Sequence, residues 1–99
     1  MKPTHRTDEF AAWLRRLSDP DAIAKVTARI DRLRLGNPGD AEPVGAGVSE
    51  LRIHYGPGYR VYYAEHRSEI IILLAGGTKK TQNTDIKQAK RLFKEWTKR

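Results

Sequence analysis

The stretch from Glu50 to Tyr63, Glu-Leu-Arg-Ile-His-Tyr-Gly-Pro-Gly-Tyr-Arg-Val-Tyr-Tyr, constrains the fold of this chain more than any other. Leu51, Ile53 and Tyr55 alternate with Glu50, Arg52 and His54; after Gly56-Pro57-Gly58, Tyr59, Val61 and Tyr63 alternate with Arg60 and Tyr62. A period of two marks half-buried strands, and a glycine-bearing break between two such runs marks a β-hairpin. Loop length decides which side chains meet, because a slip of one residue turns a whole strand over. A loop of Pro57-Gly58 alone would set Tyr55 opposite Arg60 and mix core with charge. With Gly56-Pro57-Gly58 in the loop, Tyr55 opposes Tyr59, His54 opposes Arg60, Ile53 opposes Val61 and Arg52 opposes Tyr62. The sequence therefore predicts an odd-length loop with Gly58 at positive φ. One hairpin face then joins the core, and Arg52, His54, Arg60 and Tyr62 form a polar patch on the other.

The flanking segments supply the cover such a hairpin needs. Lys2 to Arg6 reads as an edge strand or a loose tail. From a cap at Thr7 or Asp8, Phe10, Trp13, Leu14 and Leu17 recur at helical spacing, and this helix is expected to end near Ser18. Ser18 or Asp19 then caps a second helix, Pro20 suits its first turn, and Ile23, Val26, Ile30 and Leu33 mark its buried stripe. Gly36-Asn37-Pro38-Gly39 stops it, so the two helices form an αα-hairpin. Asp40 to Gly47 reads as a loop. Glu65 to Glu69 reads as a charged turn, and Glu69 to Leu74 as a strand buried on both sides that ends at Gly76-Gly77. From Thr81 to Lys98, Ile86, Ala89, Phe93 and Trp96 share one face of an amphipathic helix. The fold class is α+β in a single domain over 1–99. An amino-terminal αα-hairpin packs on a three- to four-stranded, mainly antiparallel sheet closed by a carboxy-terminal helix.

Charge narrows the partners. Nineteen Lys and Arg against 12 Asp and Glu give a net charge of +7 on 99 residues, an electrostatic footprint for a polyanion such as nucleic acid. Without cysteine there is no disulfide framework and no thiolate chemistry. No spacing of histidines and carboxylates marks a metal site, and no cofactor is implied. The longest apolar run, Ile70 to Ala75, is too short to span a bilayer and the amino terminus lacks an apolar leader, so the chain reads as cytoplasmic with no membrane partner.

Three groups carry candidate chemistry. On the hairpin, Arg52 and Arg60 can grip phosphate, His54 can transfer a proton near neutral pH, and Tyr62 can stack on a base or bond a phosphate. The plainer reading of the same residues is the wet face of an antiparallel sheet. In Gly76-Gly77-Thr78-Lys79-Lys80-Thr81-Gln82, glycines, two lysines and a following helix amino terminus suit anion binding, with Lys79, Lys80 and Gln82 as the contacts; the plainer reading is a strand-to-helix turn. The basic face of the second helix and the carboxy-terminal Lys90, Lys94, Lys98 and Arg99 add nonspecific phosphate attraction.

Four blocks bear a family resemblance. They are Phe10-x-x-Trp13-Leu14-x-x-Leu17; Arg29-Ile30-x-Arg32-Leu33-x-x-Gly36-Asn37-x-Gly39-Asp40; Gly47-Val48-Ser49-Glu50-Leu51-Arg52-Ile53 with Gly56-Pro57-Gly58-Tyr59-Arg60-Val61-Tyr62; and Leu74-x-Gly76-Gly77-x-Lys79-x-x-Gln82-x-x-Asp85-Ile86-x-x-Ala89. Together they resemble the addiction-module killer branch of the RelE/ParE toxin superfamily, the phage Gp49-like or HigB-type toxins. The resemblance implies the toxin of a type II toxin–antitoxin pair, restrained by a cognate antitoxin, usually of helix-turn-helix type, through which the complex meets operator DNA. In RelE-like members the activity is metal-independent cleavage of messenger RNA on the ribosome, by attack of a ribose 2′-hydroxyl on the adjacent phosphate. By position, Arg52 and His54 match the two basic residues of the first hairpin strand, Arg60 the arginine after the turn, and Lys80 the basic residue after the last strand. RelE itself has lysine in place of His54 and a tyrosine in place of Ile86. The resemblance leaves two alternatives: a ParE-like gyrase poison, and a noncatalytic partner in an operator-binding complex.

Overall fold

The computed structural model describes residues 1–98; Arg99 of the basic carboxy terminus lies outside the described residues. The elements are β1 (Thr4–Arg6), α1 (Asp8–Arg16), α2 (Pro20–Arg34), β2 (Ala41–Gly45), β3 (Val48–Ile53), β4 (Tyr59–His66), β5 (Ile70–Thr78), a 3-10 turn (Lys79–Thr81) and α3 (Gln82–Thr97). The sheet runs β1-β5-β4-β3-β2, with β1 parallel to β5 and every other pair antiparallel. This is the α+β architecture that the patterning predicts, with five strands instead of three or four. The extra strand is β2, in a segment expected to be a loop. Pro43 and a bulge before Gly45 are tolerated there because β2 is an edge strand, where a missing donor faces no partner.

Local chemistry sets the helix ends. The Thr7 hydroxyl accepts from Phe10 N at 3.0 Å and donates to the Leu74 carbonyl at 2.6 Å, which caps α1 and ties it to β5. Helix α1 stops at Arg16, short of the expected Ser18, since Leu17 turns to an extended ψ of 123° to reach the next cap. There Asp19 accepts from Asp21 N at 2.9 Å ahead of Pro20.

The sheet is covered on both faces. Phe10, Trp13, Val26, Ile30 and Leu33 from α1 and α2 pack on Leu51, Ile53, Val61, Tyr63, Ile71 and Leu73. Ala89 and Leu92 from α3 pack on Val48, Tyr62, Ala64, Ile72, Leu74 and Ala75. Strand β5 is thus buried on both sides as expected, but it runs through Gly76-Gly77 to Thr78. A Cβ on Gly76 would lie 2.2 Å from the Trp13 ring, and one on Gly77 1.8 Å from the Asp85 carboxylate, so this pair lets α1 and α3 close on the strand.

The hairpin departs from its expected register. Its loop is His54–Gly58, two residues longer than expected, and the observed pairs are Glu50 with Tyr62, Leu51 with Val61, Arg52 with Arg60 and Ile53 with Tyr59. The slip is two residues, so every strand side chain keeps its expected face. Gly58 has φ +80° as anticipated, and Gly56 has φ +56°. The cause lies outside the hairpin. The Tyr55 hydroxyl donates to Asp19 at 2.8 Å, Lys25 Nζ sits 5.1 Å from the Tyr55 ring centre, and His54 Nε2 is hydrogen-bonded to Asp40. These contacts draw both residues out of the ladder.

Candidate phosphate-binding site on the hairpin

The observed register sets Arg52 directly across from Arg60, an arrangement of like charges that repels unless something lies between them. Glu50 does. Its side chain is fully buried, and Oε1 accepts from Arg52 Nε at 2.9 Å while lying 3.8 Å from Arg60 Nε. The other oxygen accepts from Gln82 Nε2 at 2.7 Å and from the Tyr62 hydroxyl at 3.1 Å. Burial pushes the Glu50 carboxyl up, but hydrogen bonds from Arg52, Gln82 and Tyr62 outweigh it and hold the group below the ordinary carboxylate range. Glu50 is therefore an anion. Burial, followed by the charge of Glu50, pushes the Tyr62 hydroxyl well above the usual phenol value, so it stays a neutral donor. Arg52 is bound further by Glu42 at 2.7 Å and approached by Asp40 at 3.7 Å; its bonds to Glu50 and Glu42 raise its pKa.

Arg60 is different. It is 7% exposed, its buried Nε has no hydrogen-bond partner, and its nearest carboxylate oxygen is beyond bonding distance. Its cross-strand neighbour on β5 is Gly77, and Nη1 lies 3.8 Å from where a Cβ on Gly58 would stand. Lys79 N donates to the Gly58 carbonyl at 2.9 Å, which brings the Lys79 stem to the same loop. Lys79 and Lys80 are exposed and, among the described residues, neither is in an ion pair.

A family model described as phage-derived protein Gp49-like (DUF891) matches residues 12–95. The chain belongs to this family. The match includes the whole hairpin and the Glu50 cluster, and the Gp49-like family is associated with the toxins of toxin–antitoxin pairs. An uncharacterized protein of Haemophilus influenzae (strain ATCC 51907 / DSM 11121 / KW20 / Rd) is 51% identical over 86 residues, 87% of each chain.

In this Gp49-like chain the hairpin residues do not make the open patch that alternation suggests. Arg52, Arg60, Tyr62 and Gln82 converge on Glu50. Tyr62 is completely buried, because α3 roofs that face of the sheet. His54 lies outside the cluster, 71% exposed, with Nε2 on Asp40, and the bond to His54 is the main reason the Asp40 carboxyl sits below its usual range. The amino terminus of α3 already carries a protein carboxylate, since Thr81 donates to Asp85 at 2.5 Å in its first turn. Glu50 and Asp40 are the site residues that sequence reasoning missed. Glu50 shares a face with Arg52 two residues on, which was visible; its partners Tyr62 and Gln82 follow only from the register and the placement of α3. Among the described residues, no group of three or more His, Cys, Asp or Glu side chains is placed to hold a metal ion, and no helix is long and apolar enough to cross a membrane.

Proposed function

We propose that this Gp49-like protein is the toxin of a toxin–antitoxin pair and cleaves messenger RNA on the ribosome, in the manner of the RelE and HigB-type toxins it resembles. The observation that carries the reading is Arg60, an always-charged guanidinium held in the sheet with a buried donor unfilled. A desolvated, pre-oriented arginine is suited to a phosphate whose charge grows during reaction, because it meets that charge without reorganising. Lys79 stands against the same loop and, with Lys80 next to it in the chain, takes the neighbouring phosphates.

In this reading a ribose 2′-hydroxyl attacks the adjacent phosphorus, the bond to the 5′-oxygen breaks, and the products are a 2′,3′-cyclic phosphate and a 5′-hydroxyl. His54 takes the 2′ proton. With Nε2–H donating to Asp40, Nδ1 carries the lone pair that receives it. The leaving 5′-oxygen takes its proton from solvent water, and His54 returns the 2′ proton to solvent afterwards. Glu50 acts by position, since it lets Arg52 and Arg60 face one another and orients Arg52. Tyr62 and Gln82 hold Glu50 in place. The partners are the ribosome, messenger RNA and an antitoxin through which the complex meets operator DNA, and the reaction is cytoplasmic.

The test is induction in a bacterial host beside His54→Ala, Arg60→Lys and Arg60→Ala variants, with mapping of messenger-RNA 5′ ends. The expected result is new ends at in-frame codon positions with the intact protein. Arg60→Ala should lower the cleavage rate about 10² to 10³-fold, by analogy with loss of one oxyanion donor. His54 is exposed and Arg60→Lys keeps the charge, so both variants separate lost chemistry from lost folding. A folded, fully toxic Arg60→Ala protein would overturn the reading. Growth arrest with intact messages and double-strand DNA breaks would replace it with gyrase poisoning, and no arrest at all with a noncatalytic role in the operator complex.

A further inference from the structure

A groove of about 410 Å³ runs along α2 where that helix meets the outer end of the hairpin, on the α2 side of the sheet, while the Glu50 cluster faces α3. Its floor is Ala24 and Ala28 of α2 with Ile53 and Tyr55 of the hairpin. Both alanines are exposed and lie four residues apart, so they share one line of the helix surface with nothing longer than a methyl group on it. Such a line lets a second helix approach closely, near the lower end of the usual 8–10 Å between axes, roughly.

The rim is cationic. Lys25, Arg29 and Arg32 border the alanine line, and among the described residues none of the three is in an ion pair. Arg29 donates instead to the carbonyls of Arg52, Pro38 and Asp40, at 2.5, 3.0 and 3.2 Å. Of the nearby carboxylates, Asp19 is engaged by Tyr55 and Asp40 by His54 and Arg52, while Asp21 stands one helical turn before Lys25. Nucleic acid fits this groove poorly. Tyr55 is the single aromatic side chain of its lining besides the His54 ring; its hydroxyl is held by Asp19 and one ring face lies under Lys25, so it offers a base a poor stacking platform.

We infer that the groove is a docking surface for an acidic amphipathic helix of a protein partner, whose small apolar side chains seat on Ala24 and Ala28 and whose carboxylates meet Lys25 and Arg32. In the toxin–antitoxin reading that helix belongs to the antitoxin and grips the protein along α2, beside His54. The partner's identity rests on that reading; the surface does not.

The probe is a synthetic peptide of about 20 residues, long enough to form helix on its own, with alanine and leucine on one face and glutamate on the other. Its binding is followed by fluorescence anisotropy against the full chain, the Ala28→Glu variant and the Lys25→Glu/Arg32→Glu variant, all checked for fold by circular dichroism. The intact protein should bind the peptide and not its lysine-for-glutamate counterpart. Each variant should weaken binding about tenfold or more, since like charge now meets like charge. Absence of binding, or equal binding by intact and variant proteins, would overturn the inference. An oligoribonucleotide displaced by Ala28→Glu would give the groove to RNA, and a dimer split by that change would give it to a second copy. Peptide binding by a protein that cuts no message would sink the ribonuclease reading and leave the docking surface standing.

Discussion

At the scale of single residues, the decisive group is one buried carboxylate. Glu50 accepts hydrogen bonds from Arg52, Tyr62 and Gln82 and lies beside Arg60, so its removal leaves a buried cation and two donors facing each other without an acceptor. Glu50→Leu should therefore cost about 3–5 kcal/mol, the range for breaking a buried pair from one side, read by urea unfolding. The pH dependence has a definite sign. The folded carboxyl lies below its ordinary value of 4.5, so the unfolded chain binds the proton more readily. Its contribution to stability is complete above that value and is lost as pH falls through the folded one. Below about pH 4.5 the intact protein should lose stability more steeply than Glu50→Gln; parallel curves would show that the carboxyl is not held low.

At the scale of elements, β5 decides how closely the two helical layers approach. Gly76 faces Trp13 and Gly77 faces Asp85, each too near for a Cβ. The Asp85 carboxylate can swing aside, but the Trp13 indole is packed in the core and cannot. Gly76→Ala should thus cost about 1–3 kcal/mol, as overpacking does, and shift Trp13 emission in a Trp96→Phe background, whereas Gly77→Ala should cost less. Equal costs would mean that the Asp85 end is as rigid as the indole. Strand β2 shows the other side of element formation. Ala-Glu-Pro-Val-Gly has poor strand propensity and becomes a strand because β3 offers it an edge. The stripes of α1 and α2 were legible for the opposite reason, since each repeats its apolar residues within a few turns.

At the scale of the whole molecule, a charge of +7 makes RNA affinity a function of salt. If Arg60, Lys79 and Lys80 each neutralise one phosphate, affinity for a single-stranded oligoribonucleotide should fall about 20-fold between roughly 50 and 200 mM salt. Lys80→Ala should reduce the logarithmic slope by about 0.7. An unchanged slope in titrations of that variant would remove Lys80 from the interface.

Alternation along the hairpin is a local property, so the chain alone established which strand residues share a face, Arg52, Arg60 and Tyr62 among them, where the long helices lie, and how basic the molecule is. Register and cover are not local. Loop length was settled by Asp19 at the start of α2 and by Asp40 before β2, which hold Tyr55 and His54 from outside the hairpin. Burial of Tyr62 was settled by α3, some 20 to 30 residues further along the chain. A two-residue slip keeps every face, so alternation cannot detect it, yet it changes every cross-strand partner. That slip puts Arg52 against Arg60 and makes Glu50 the centre of the site, because two facing cations in a covered sheet need an anion between them.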